Sequence, residues 1–335
     1  MKSVLRFTAV MLVAAFTGSA AAQDVVWTLI NEYPATSLTA EADASFAAAV
    51  ERRIGDRVVI EPIPDAKSGL RTREQLAAVS DGRHAMANSF GGALADESPF
   101  FLLSSLPFLT SSVEDSRTLY EVARPTYEKL FAERNQKLLY VTPWPPTGLW
   151  SDRPVDSADA LRALRIRTYD QTSMDLFARV ATTANVISFS DLEPRLASGE
   201  YNAVLSSGDG GAGRQLWRHL RHFSSIVYAV PLSFASVSLK AWNALDDATR
   251  AEIEAAARET TERNWAAIAG RVERNFATMR SNGVVIDEQP PAEMMQVLHA
   301  AATQSIADWR RRTGSEGERL LADYDEKTPE PGKPR

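Results

Sequence analysis

The stretch Arg165-Ile166-Arg167-Thr168-Tyr169-Asp170 has the residue types and spacing best suited to chemistry. It reads as a short buried strand, in which successive side chains point to opposite faces, so Arg165 and Arg167 share one face. Two guanidinium groups on such a face need partners. One reading is an ion pair at a strand end. The other is a guanidinium at the strand's C-terminal end, where open α/β sheets bind ligands, gripping a carboxylate through two parallel hydrogen bonds. The residues alone leave both open.

Other patterns carry less. Gly208-Asp209-Gly210-Gly211-Ala212-Gly213 is a literal GxGxxG between a strand and a helix. Dinucleotide binding needs a long crossover helix and an acid about 20 positions on. Here the next strand begins about twelve residues later and ends at Val230-Pro231 with no acid. A flexible turn, or backbone amides facing a ligand, is the expectation. His219 and His222 share a helical face by spacing, but without an HExxH pattern or a third ligand they read as a solvated face or a structural hydrogen bond. A Ser-His-Asp arrangement is recognised by geometry, and the GxSxG elbow that would raise its standing is absent. No metal and no cofactor is expected.

The elements that must position these residues alternate along the chain. Strand-like runs at residues 25–30, 57–63, 85–90, 137–142, 164–169, 185–189, 201–205 and 225–230 are separated by helical patterns. This alternation predicts α/β lobes with largely parallel sheets. A helix is expected at residues 115–135, with a kink at Pro125. Asp246 or Asp247 caps a helix over about 248–280, whose roughly 33 residues would span about 50 Å and cross both lobes. A further helix is expected over about 292–312.

The resulting organisation is a first lobe from residues 23–144 and 233–270. A second lobe, with the C-terminal helix, comes from residues 145–232 and 271–313, and a disordered Pro-rich tail spans 325–335. Position adds pocket candidates. Asn31, Glu32 and Tyr33 leave the first strand, Ser89 and Phe90 leave the third, and Trp144 and Trp150 flank the Pro-rich segment between lobes.

The N-terminus fixes the compartment. Lys2 and Arg6 precede an apolar run of ten residues (7–16), and small residues lead to Gln23. That is the layout of a secretory signal peptide over residues 1–22, too short to span a membrane, which takes about 20 apolar residues. Its removal takes away two cations and moves the formal charge from −6 to −8. Such an acidic chain is a poor partner for nucleic acid. The sequence has no cysteine, which excludes disulfides, thiol chemistry and lipid attachment at a processed N-terminal cysteine. A periplasmic protein, not itself membrane-spanning, is expected.

From Trp27 to about Leu298 the chain resembles the DctP-type solute receptors of tripartite ATP-independent periplasmic (TRAP) transporters. The resemblance rests on FFLLSSLPFL (100–109), GLWSDRPV (148–155), ALRIRTY (163–169), LASG (196–199) before the 201–205 strand, and Trp242-Asn243-Ala244-Leu245. It implies a two-lobed periplasmic-binding-protein-like fold with a long helix bracing both lobes. It also implies a small organic acid enclosed between the lobes, with Arg167 on its carboxylate, and membrane permease subunits as partners. Ala163 and Arg165 replace the family's usual glycine and lysine. Many members carry Asn-Pro after the 201–205 strand, where this chain has Ser206-Ser207-Gly208, so a Ser206 hydroxyl, with Ser207 beside it, is expected at the ligand. Aromatic side chains, Tyr169 among them, would cover the remainder. The competing readings are a periplasmic hydrolase or other enzyme acting on an organic acid, and a receptor that feeds a signalling protein.

Overall fold

The computed structural model describes residues 25–328; the expected signal peptide lies outside the described residues. Eleven strands occur among them: β1 Val25–Asn31, β2 Val58–Ile63, β3 Met86–Phe90, β4 Gln136–Pro143, β5 Thr147–Ser151, β6 Arg165–Thr168, β7 Thr183–Val186, β8 Ala203–Ser207, β9 His222–Ser224, β10 Leu232–Ser238 and β11 Val285–Asp287. They form two sheets, in the orders β2-β1-β3-β10-β4 and β11-β9-β5-β8-β6-β7. Each sheet is the centre of one lobe.

The sheets are mixed, a correction to the largely parallel expectation. β10 runs antiparallel to β3 and β4, and β5 antiparallel to β8 and β9. The cause is the path of the chain. Strands β1, β3, β6 and β8 run towards the cleft, whereas β5 and β10 come back from the opposite lobe and enter their sheets at the cleft end. The two crossings also pair with each other, through Trp144 N to Pro231 O at 2.8 Å and Thr147 N to Ala229 O at 2.9 Å.

Local chemistry accounts for the helices. In Leu38–Ile54, Ser37 caps the N-terminus by accepting from Ala40 N, and the buried Ala42, Phe46, Ala49 and Val50 recur at helical spacing against β1 and β2. Full burial of a side chain such as Phe46 is worth about 1.5–3 kcal/mol. Asp246 caps Asp247–Ser281 by accepting from Thr249 N at 2.8 Å. This long helix does brace both lobes. Asn264 Nδ2 donates to Val141 O on β4 at 3.0 Å, and Met279 is buried in the core of the second lobe.

Three further expectations need correction. The C-terminal helix continues from Ala292 to Lys327, interrupted only at Gly314, whose φ of 59° suits glycine. Residues 325–327 are therefore helical rather than part of a disordered tail, because Leu320, Leu321 and Tyr324 bury an apolar face on the first lobe; residues 329–335 lie outside the described residues. His219 and His222 do not share a helix, since His222 opens β9 and His219 Nε2 meets Glu193 Oε1 at 2.9 Å. The glycine run forms a helical turn, Gly208–Gly213, instead of a flexible turn. Gly211 lies against the Trp150 indole, where any Cβ would collide.

Candidate functional site

Arg167 projects from the cleft end of β6 and is only 3% exposed. Ile166 faces the core, while Arg165, at the exposed start of the strand, donates to the Gly199 and Glu200 carbonyls at 3.0 and 3.1 Å. Arg165 is thus held by carbonyls and not by an ion pair. Arg167 Nε donates to Ile187 O at 2.8 Å and Nη1 to Leu205 O at 3.3 Å. Among the described residues no hydrogen bond reaches Nη2, and no carboxylate lies within ion-pair distance. Burial pushes its pKa down, opposed by Tyr33, Glu32, Tyr169 and Asp170; a guanidinium nevertheless stays charged in a protein. A buried cation without an anionic partner is costly.

The space beside this guanidinium is a small cavity of about 30 Å³ between the lobes, room for about one or two waters. Tyr33 and Phe90 come from the first lobe, and Trp144, Thr147 and Pro231 from the crossings. The second lobe adds Arg167, Tyr169, Phe189, Ser206, Ser207 and Gly210. The rings brace one another: Tyr33 lies 4.6 Å from Trp144 and 5.4 Å from Phe189, and Phe90 meets Tyr169 edge-on at 5.4 Å. The Arg167 guanidinium stands 5.6 Å from the Phe189 ring. Gly210 keeps the floor open, since a Cβ there would lie 2.6 Å from Ser206 Oγ. A larger cleft of about 570 Å³ lies at the rim of the lobes, lined by charges of both signs such as Arg73, Arg195, Asp96 and Glu200. It lacks Arg167 from its lining, so the small inner cavity is the better site.

The structure thus brings Arg167, Tyr169, Ser206, Ser207 and Trp144 to one cavity. Trp144 is fixed by its indole N–H to Ser233 Oγ at 3.0 Å. Ser207 Oγ accepts from Gly210 N at 3.2 Å and so caps the glycine helix, leaving Ser206 as the hydroxyl with no protein hydrogen bond among the described residues. Four expected residues fall elsewhere. Trp150 is a core residue, packed on Phe223 with its N–H given to Ser207 O at 3.3 Å. Ser89 donates to Gln75 Oε1 at 3.0 Å inside the first lobe. Asn31 donates to Asp43 Oδ2 at 2.7 Å and accepts from Tyr33 N at 2.9 Å, which orients Tyr33 towards the cavity.

Glu32 lines an adjoining pocket of about 20 Å³ that shares Arg167, Tyr33, Phe90, Tyr169 and Phe189. Burial works to raise its pKa, but hydrogen bonds from Ser188, Thr72 and Ser190 outweigh it and hold the carboxyl below its ordinary range. Gly210 lay in the glycine run read as a turn or as backbone amides facing a ligand, whereas Phe189, Thr147 and Pro231 escaped the sequence reading. Phe189 alone carried a signal, as the aromatic ending the 185–189 strand-like run.

The family described as bacterial extracellular solute-binding protein, family 7 (DctP), matches residues 31–309. The chain belongs to this family. Its members are receptors that bind a solute outside the cytoplasm, and the protein is such a receptor and not an enzyme. Two Bordetella pertussis extracytoplasmic solute receptors that bind pyroglutamic acid, DctP7 and DctP6, superpose with TM-scores of 0.86, at 24% and 25% identity. The match covers 90% of this chain with 99% and 100% of theirs. A TRAP solute-binding protein from a marine metagenome, specific for pyroglutamate, has a TM-score of 0.85 at 25% identity, covering 91% of this chain and 99% of its own. No curated protein sequence matches the chain. Among the described residues no helix is long and apolar enough to cross a membrane, and family 7 receptors of the TRAP type work with membrane permeases.

Proposed function

We propose that the protein captures a small organic acid between its lobes, with the carboxylate on Arg167, and presents it to a TRAP-type permease in the periplasm after loss of residues 1–22. The observation that carries this reading is the buried Arg167 guanidinium, short of an anionic partner and facing the interlobe cavity. A carboxylate there would take the remaining N–H groups, Ser206 would donate or accept at its edge, and the five rings would cover a flat body. Ligand binding favours closure because only the closed form makes contacts from both lobes. The lobes, residues 23–144 with 233–270 and residues 145–232 with 271–313, would move as units about the two crossings. Pyroglutamate, bound by relatives of similar shape, is the first acid to try.

The test is thermal unfolding of the mature protein against a panel of mono- and dicarboxylates. A true ligand at 100 times its Kd adds about 2.7 kcal/mol of stability, which appears as a saturable rise in Tm. A panel with no response from any carboxylate would overturn the reading.

A further inference from the structure

Glu32 poses a question that the receptor function leaves open. It is a carboxylate, 2% exposed, on the same pocket wall as the guanidinium meant for the ligand's own carboxylate. Thr72 in the first lobe gives its N–H at 2.8 Å and its hydroxyl at 2.6 Å to Oε2. Ser188 Oγ at 2.5 Å, Ser190 N at 3.2 Å and Ser190 Oγ at 2.9 Å, all from the second lobe, donate to Oε1. Five donors on one carboxylate make a complete anion seat, and the protein's own side chain fills it.

We propose that Glu32 is the charge-selecting residue of the receptor: it admits acids with one carboxylate and turns away those with a second. This rests on Arg167 taking the first carboxylate. A second carboxylate reaching along the shared pocket would arrive beside Glu32 with every donor there already committed. Two buried carboxylates at close range cannot both ionise without large cost, and the incoming one would lose its water without new hydrogen bonds. Three further cations lie near this pocket. Arg71 is committed to Asp191 at 2.7 Å, and Arg73 is exposed at the mouth of the pocket. Arg214 packs 5.4 Å from the Phe189 ring, its buried Nε without a hydrogen-bond partner among the described residues, but it lines neither cavity. In the main cavity Arg167 is the single charged side chain among the described lining residues.

Because its partners lie on both lobes, Glu32 also helps hold the lobes closed, so its loss lowers affinity for any ligand. The informative quantity is therefore a ratio. Calorimetric titrations at neutral pH compare two matched pairs, pyroglutamate with glutarate and lactate with malate, on the wild type, Glu32→Gln, Glu32→Asp and Ser190→Ala. In the wild type the monoacid of a responding pair binds at least 100-fold tighter than the diacid. Glu32→Gln shrinks that ratio tenfold or more, whereas Glu32→Asp and Ser190→Ala keep it, since they retain the charge. A wild-type ratio near one overturns the inference even if no variant folds. So does a Glu32→Gln protein that weakens both members of a pair by the same factor, which would leave Glu32 as a latch alone. No response to any acid in the wider panel would instead remove the Arg167 reading beneath it.

Discussion

Two buried charges, one in each lobe, divide structural from functional electrostatics in this protein. Asp43 sits in the first lobe, wholly buried, and accepts from Asn31, Asn88 and Tyr140 at 2.7, 2.6 and 2.7 Å. All three donors belong to its own lobe, so its needs are met whether or not the lobes close. Arg167 in the second lobe has two carbonyls and no anion. In the proposed reading its partner is the ligand's carboxylate, supplied from the space between the lobes. Both are buried; what differs is whether the surrounding fold completes the charge, and the incomplete one is the proposed anchor for the ligand.

Substitutions can break this comparison from either end. Arg167→Ala has the largest expected effect on binding, a loss on the order of 2–5 kcal/mol, as for a buried charge pair with one partner removed. Its unfolding midpoint should stay level or rise, because an uncompensated buried cation has gone. Arg167→Lys should rescue binding only in part, since an ammonium lacks the two-pronged geometry. Titration calorimetry and thermal unfolding read both, and wild-type affinity in Arg167→Ala would end the carboxylate assignment.

Asp43→Ala should behave in the opposite sense. Stranding three buried donors costs on the order of 3 kcal/mol of folding stability, visible as a lower denaturant midpoint. The folded fraction should keep most of its affinity. A larger loss of binding than of stability would show that Asp43 serves the site through Asn31 and Tyr33.

Asp170 sharpens the comparison by its pH dependence. Burial pushes its carboxyl up to about 6, against hydrogen bonds from Ser173. A raised pKa contributes stability that is present below its unfolded value of 3.8 and is lost as pH rises through about 6. Asp170→Asn keeps the helix cap and removes the charge. Relative to this variant, the wild type should lose on the order of 1–3 kcal/mol between pH 4 and pH 7. Parallel stability curves would refute the assignment.

The smallest expected effect belongs to Ser206→Ala. Losing one neutral hydrogen bond to the ligand should weaken binding by about 0.5–1.5 kcal/mol and leave the unfolding midpoint unchanged. An affinity equal to wild type for the acid identified would mean that its hydroxyl faces another way.

Local pattern by itself determined much of this protein. Period and caps placed most strands within a few residues and the long helix almost to its ends, because those signals act between neighbours three or four positions apart. The Arg-x-Arg spacing left an ion pair and a ligand clamp both open; it was the resemblance to DctP-type receptors that pointed to Arg167 and Ser206, the penultimate residues of β6 and β8. Tertiary structure alone decided which residues meet there. Glu32 finds Ser188 and Ser190 across 156 and 158 residues of chain, and Phe189 lines the cavity through its packing beside Arg167 and Tyr33. Trp150 and Trp144 look alike in sequence, six residues apart on a Pro-rich segment; one is buried against Phe223 and the other walls the site. No local rule separates them, because their difference is set by how a returning strand enters its sheet. The direction of that entry depends on the path of the whole chain.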